Sequence, residues 1–437
     1  MSIKDNFPSV GPSLSLNFAR SKTLDPRITF SRSSVGTYMD GNGLIVTAAA
    51  DEPRFDHKYE NDVVKSLGLL VEESRVTYTT HTEDPSQWII SNMITTGNSV
   101  TLPTGVASTS IEYRGETTDA NSKLIRPTLS GASITAGDTW VFSIFLKAGT
   151  EDTVNITLQN NTATEGVRVN SFNMLTGEDS GIIESGGATN GEFDAISYPN
   201  DWWRIYVRGT FANNAGGMQT VLRLQGFSNQ VTVTTSFSAW GAQLEKGSFM
   251  TSYIPNNTGS TVTRTADNVT MTGTNFSDWY NQDEGTMVWV GNVYSKEITP
   301  VQPFRINQGS NLRGMAIQFD TRSANNTVNF MSRTQSSNIP SKVGPTGVIP
   351  SDNKIKIAGG YIESVGLSTI RAAFNGLPAA SYSGASQTDI TYDTMNELEI
   401  MGDRGTSGTN IKFTGVCEQL VYYPKIFTDT QLQNLTK

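Results

Sequence analysis

Through most of this chain apolar residues fall at every second position, in short runs cut by glycine, asparagine and aspartate. That period belongs to a strand with one buried face, whose side chains alternate in and out. The stretch Ser236–Thr265 shows both the pattern and its end. Just before and within it, Val231, Val233, Phe237 and Ala239 alternate with Thr232, Thr234, Ser236 and Ser238. At Trp240-Gly241 the parity flips, so that Trp240, Ala242 and Leu244 carry the apolar face, and a flip at glycine predicts a β-bulge. After Lys246-Gly247 the alternation stops. Pro255 has no ladder donor, and Asn256-Asn257-Thr258-Gly259-Ser260 reads as a short linker. One β-domain closes here and another opens.

Three regions follow from the same reading. Residues 1–76 form an extended segment with little core of its own. In it, Leu14-Ser15-Leu16-Asn17-Phe18 alternates, and Asp40-Gly41-Asn42-Gly43 between two short apolar runs predicts a hairpin turn with positive φ. Such a segment is held by a neighbouring domain, another copy or a partner. Residues 77–255 carry regular strands: Trp140–Leu146 is apolar on both faces and belongs in the middle of a sheet, and Val154-Ile156-Leu158 alternates with polar neighbours. Residues 262–437 repeat that character, from Met287-Val288-Trp289-Val290 to a last strand over Phe413–Tyr423. Thr428 and Gln431 then form a capping box, which predicts one short C-terminal helix. The expected fold is all-β: two tandem antiparallel sandwiches, at 77–255 and 262–437, after the N-terminal β segment.

Composition narrows the function. Charged residues make up 17% of the 437, below the roughly 25% of an ordinary soluble protein, and polar uncharged residues take their place on the water-facing sides of strands. Net charge is −9 with no basic block, so binding to nucleic-acid phosphates is not expected. No apolar run approaches the ~20 residues of a membrane span, and neither membrane insertion nor a signal core is expected at the N-terminus. The single cysteine, Cys417, sits in an apolar strand pattern and reads as a small core residue. His57 and His81 are the only histidines, too few for a zinc site or for most histidine-based catalysis.

Several motifs resemble known modules. The order of a central aromatic strand, then Asn200-Asp201-Trp202-Trp203-Arg204, then Ala239-Trp240-Gly241-Ala242-Gln243-Leu244-Glu245 resembles the jelly roll of carbohydrate-binding modules. Tyr361, Phe374-Asn375-Gly376 and Val421-Tyr422-Tyr423-Pro424 resemble the concanavalin A-like, laminin-G-type sandwich. Phe30-Ser31-Arg32-Ser33-Ser34, Leu69-Leu70-Val71-Glu72-Glu73-Ser74-Arg75 and Ser252-Tyr253-Ile254-Pro255 together look like fibre and spike proteins of tailed bacteriophages. The resemblance implies a virion protein at the particle surface, assembled in a bacterial cytoplasm and commonly a homotrimer. It would dock to other virion proteins through residues 1–76 and present lectin-like sandwiches to host-surface glycans. A head-decoration or tail-assembly protein with purely structural sandwiches is the alternative, and a polysaccharide hydrolase the third reading.

Candidate binding residues come from surface pattern. Trp202, Arg204, Tyr206 and Arg208 share one strand face, read as outward, and combine flat rings with planar donors in the way sugar recognition requires. Arg223 and Gln225 extend this ladder if their strand is a neighbour. Packing of arginine stems on the rings is the plain alternative. The polar glycine-rich loop at Asp403, Arg404 and Asn410 offers a second rim site, with a simple flexible hairpin as its alternative. No cofactor is expected. Asp320, Asn325 and Asn326 offer oxygens to calcium but too few carboxylates to assign a metal. Glu397 and Glu399 share a face, as the acids of a glycosidase strand do, yet lack that pattern's middle Asp and further Glu. No catalytic residue is assigned.

Overall fold

The computed structural model describes residues 8–115, 123–224, 235–294, 301–308, 314–320, 327–333, 341–343, 354–364, 367–385, 394–401 and 414–437. The chain is all-β, with antiparallel sheets stacked as sandwiches. Among the described residues no helix is long and apolar enough to cross a membrane.

In the first sandwich a front sheet runs in the order Thr189–Tyr198, Trp202–Thr210, Thr139–Ala148, Ser236–Lys246, Glu112–Gly115, Met93–Thr95. The back sheet runs Ile182–Ser185, Gly166–Asn173, Thr153–Asn160, Met218–Leu224, Leu124–Arg126, Ile89–Ser91. Trp140, Phe142, Ile144 and Leu146 of the front sheet meet Ile156, Leu158 and Leu222 of the back sheet in one core. The Thr139–Ala148 strand is central, as its two apolar faces require. Its opposite face is buried as well, Phe145 packing with Trp202, Trp240 and Tyr253 in a separate cluster.

The bulge falls at Gly241, whose φ is +64° and where the pairing with Thr139–Ala148 shifts register. Phe237 and Ala239 before it and Ala242 and Leu244 after it therefore all face the core. Trp240 does not join them, contrary to the parity read from sequence. Because the extra residue is Gly241, Trp240 stays on the outer face, against Phe145 and Tyr253 at 5.4 and 4.9 Å between ring centres.

The second sandwich is built from both ends of the chain. One sheet runs Ala380–Ala385, Leu367–Phe374, Lys354–Ser364, Glu284–Val293, Gly415–Tyr423, Val63–Val71, Arg54–Glu60, with Leu14–Asn17 also paired to Gly415–Tyr423. The other begins with Thr29–Ser31, followed by Asn268–Thr272, Glu397–Ile400 and Val301–Asn307. Leu14, Leu16, Phe18, Leu69 and Val71 lie in the same core as Trp289, Ile357 and Leu420. Strands of the N-terminal segment thus complete the last sandwich, which explains how a stretch poor in apolar residues is held. Cys417 is fully buried in that core, where burial pushes its thiol far up. The capping box at Thr428 and Gln431 is formed, and it starts the helix Asp429–Leu435, which seats Leu432 against Val288 and Val421.

The Asp40–Gly43 turn joins Gly36–Met39 to Ile45–Ala48, with Gly43 at φ +82° and the Asp40 carboxylate accepting from the Asn42 and Leu44 amides. The stretch after Pro255 is pinned. Buried Asn256 donates from Nδ2 to Thr79 O at 2.8 Å and to Ser260 O at 2.7 Å.

Candidate functional site

Where the N-terminal hairpin lies over the front sheet of the first sandwich, a crevice of about 320 Å³ remains between them. Tyr38, Asp56 and His57 line it from the N-terminal side; Asp194, Tyr198, Arg204 and Tyr206 line it from the sheet. That size sits at the lower end of small-ligand sites, roughly 300–1,000 Å³.

Its polar groups are fixed from behind. Asp56 takes the Met39 amide on Oδ1 at 2.8 Å. Burial pushes its carboxyl up to about 6, against the backbone hydrogen bonds from Met39 and His57. His57 Nδ1 lies 3.0 Å from Met39 O, which makes Nδ1 the donor and leaves the lone pair on Nε2. Burial lowers its pKa, so the neutral ring is favoured. Arg204 donates from Nη2 to Ser143 Oγ at 3.2 Å, and its guanidinium sits 5.4 Å over the Phe145 ring. Tyr206 donates to Glu192 at 2.6 Å, and Arg208 pairs with the same carboxylate at 2.8 Å. Two buried atoms of crevice residues, His57 Nε2 and Arg204 Nε, have no hydrogen-bond partner within the protein. His57 Nε2 is directed toward the Gly41 turn, where an added Cβ would stand 3.6 Å from it, and both nitrogens lie behind the crevice wall.

Behind the crevice lies the junction that holds its walls together. Arg54 pairs with Glu72 at 2.6 Å and Asp267 at 2.5 Å, and Arg32 pairs with Asp267 at 3.0 Å; every one of these side chains is at most 2% exposed. Arg264 approaches Glu72 at 3.2 Å, and Ser252 donates to Glu72 from both its amide and its hydroxyl. The sequence stretches around Arg32, Glu72 and Ser252 are brought together here. Their shared feature is a buried charge cluster that joins both sandwiches.

The Trp202–Arg208 face is not an open ladder, which corrects its outward reading. Trp202 is 0% and Arg204 3% exposed, because the N-terminal hairpin and the 100–111 segment cover them. The Trp202 ring N–H donates to Thr101 O at 2.9 Å. Arg204 and Tyr206 nevertheless reach the crevice, and Arg208 supports it through Glu192. Arg223 does not extend this row: its strand belongs to the back sheet, on the other side of the core. Gln225, Asp403, Arg404, Asn410, Asn325 and Asn326, and the side chain of Asp320, lie outside the described residues. Glu399 lies 3.9 Å from Arg305, and burial raises the Glu397 carboxyl. Among the described residues no group of three or more His, Cys, Asp or Glu is placed to hold a metal.

Sequence reading missed Asp56 and His57 as crevice residues and Arg54, Glu72 and Asp267 as the junction. A signal was present: Glu72 directly follows Leu69-Leu70-Val71, and a charge at the end of a fully apolar run needs a buried partner.

No protein-family model matches the chain, and no curated protein sequence matches it. Among solved structures, it is similar to the CBM40 of the Ruminococcus gnavus IT-sialidase at 13% identity, over 36% of this chain and 84% of that one, with a TM-score of 0.29. The NanB sialidase of Streptococcus pneumoniae matches at 10% identity over 38% of this chain and 26% of that chain, with a TM-score of 0.28. Mouse laminin alpha1 domains LG4-5 match at 10% identity, over 66% and 84% of the two chains, with a TM-score of 0.24. These likenesses are slight, and the sandwich assignment rests on the strand orders given above.

Proposed function

We propose that this chain is a binding protein without catalytic activity, a fibre or spike subunit at the surface of a bacteriophage particle, which holds a host-surface glycan in the crevice under its N-terminal hairpin. The observation that carries the binding role is the crevice itself, where Asp56, Asp194 and Arg204 line a space flanked by the rings of Tyr38, Tyr198 and Tyr206. Rings stack on the C–H faces of a sugar, while fixed donors and acceptors select its hydroxyls. The virion role is drawn from the motifs around Arg32, Glu72 and Ser252. Docking to the particle then uses exposed faces of the N-terminal strands, and a homotrimer would multiply weak single-site contacts.

The test is a glycan array followed by calorimetric titration of the best neutral hit. Tyr38→Ala and Asp194→Ala, on the rim of the crevice, should each weaken binding at least tenfold with the circular dichroism spectrum unchanged. Immunogold labelling should find the chain on intact particles. Failure of the folded protein to bind any glycan, or binding indifferent to both changes, would remove the crevice from consideration. Labelling confined to particle interiors would remove the host-contact role.

A further inference from the structure

The outer face of the back sheet carries arginines on three of its strands: Arg168, Arg223 and Arg126. Register places Arg223 opposite Asn155 and Arg168 opposite Thr157. Asn155 and Thr157 alternate with Ile156 and Leu158, which face the core, so these polar residues and both arginines share the outer side. The two arginines therefore flank the Thr153–Asn160 strand, about 12 Å apart at the backbone, two interstrand spacings across and two residues along. Leu124, opposite Arg223, puts Arg126 on the same face two residues along.

Between them lies a depression of about 220 Å³ lined by Thr157, Gln159, Arg168, Ser185 and Arg223. Its floor is polar and fixed: Thr157 Oγ1 donates to Asn155 Oδ1 at 3.2 Å, Asn155 Nδ2 to Asn170 Oδ1 at 3.3 Å, and Gln159 Nε2 to Gln219 Oε1 at 3.2 Å. Asn155 is fully buried, a position where an aliphatic residue would cost less. Glu165, on the wall, is turned away, with its carboxylate accepting from the Ala212 and Asn213 amides. Burial lowers the pKa of Arg223, and the charges of Arg126 and Arg168 lower it further. Arg168 and Arg223 on the lining, with Arg126 further along the same face, outweigh the single carboxylate of Glu165 and make a local positive field on a chain whose net charge is −9.

We propose that this hollow is a second binding site, for an acidic saccharide, with a carboxylate or sulfate between Arg168 and Arg223 and ring hydroxyls on Thr157, Gln159 and Ser185. Guanidinium forks match the oxygens of both anions, and the hollow is larger than a bare anion needs. The site lies across the core from the crevice and stands or falls independently of it.

Calorimetric titration with trigalacturonate and with a chondroitin sulfate tetrasaccharide tests this, with trigalactose and sodium sulfate as controls. At least one acidic oligosaccharide should bind, and raising salt from about 50 to about 300 mM should weaken it at least tenfold. Arg168→Gln and Arg223→Gln should each lose tenfold or more, and Arg168→Lys, which keeps the charge without the fork, should lose severalfold. Tyr38→Ala should leave this binding unchanged. The proposal is overturned if neither acidic oligosaccharide binds, if trigalactose binds equally, if sulfate competes as well as the oligosaccharide at equal concentration, or if affinity is indifferent to all three arginine changes.

Discussion

Arg54 and Asp267 are 213 residues apart in sequence and 2.5 Å apart in the structure, both fully buried. Their pair joins the two sheets of the second sandwich: Arg54 opens a strand of one, and Asp267 stands just before Asn268–Thr272 of the other. Glu72 and Ser252 extend the link toward the end of the first sandwich. Removing one member leaves charges that water cannot reach. Asp267→Asn should therefore cost about 3–5 kcal/mol, well above the cost of a surface ion pair. Urea unfolding measures it, and a cost under about 1 kcal/mol would show that the junction is not a clamp.

Acid should act on the junction through Glu72. Although burial opposes ionisation, Arg264 and Arg54 hold its carboxyl down at about 2, against an ordinary 4.5. A depressed carboxyl contributes stability above the ordinary value that is lost as pH falls toward the folded one. Stability should fall between about pH 4.5 and 2, and Glu72→Gln should flatten that limb in a series of urea titrations.

Asp56 works in the opposite sense. Its carboxyl is raised from 3.8 to about 6, so its contribution is present at low pH and lost as pH rises through the folded value. Above that value the charged form is held at a cost. Asp56→Asn, which keeps an acceptor for the Met39 amide, should stabilise the protein by about 1–3 kcal/mol at pH 8 and by almost nothing at pH 4. Equal effects at both pH values would exclude a strained carboxylate.

Period-2 patterning made the sandwiches, the central Thr139–Ala148 strand and the bulge legible, because each depends on neighbours within a few residues. The turn at Asp40–Gly43 and the Thr428 cap were legible for the same reason. Nothing local told whether the Trp202–Arg208 face met water or the N-terminal hairpin: strand alternation says that a residue faces away from one core, not what lies beyond it. Likewise Leu14 pairs with Tyr422, a contact between chain ends that no short window contains. The crevice was hidden because it needs both of these long-range facts.

That distinction separates Trp202 from Tyr206. Trp202→Ala removes a fully buried ring and should cost about 3–5 kcal/mol, so it reports on folding and not on ligand contact. Tyr206→Phe keeps the ring and loses only the hydrogen bond to Glu192, for about 0.5–2 kcal/mol. Thermal melts of the two variants should differ accordingly, and similar melting points would contradict the burial of Trp202.

Gly241 carries the register between the strands Thr139–Ala148 and Ser236–Lys246 of the front sheet. Its φ of +64° is the left-handed region that a side chain makes costly, and an added Cβ would stand 2.8 Å from Cδ2 of Phe145. Phe145 cannot easily yield, since Tyr198, Trp240 and Tyr253 all pack on its ring. Gly241→Ala should therefore cost about 2–4 kcal/mol, the backbone penalty plus crowding of a packed core. Because the displaced ring also lies under Arg204, the same change should weaken crevice binding even where the protein remains folded. Urea unfolding and glycan titration on this one variant measure both effects; a variant as stable as the parent would mean that the strand can carry both apolar halves without the bulge.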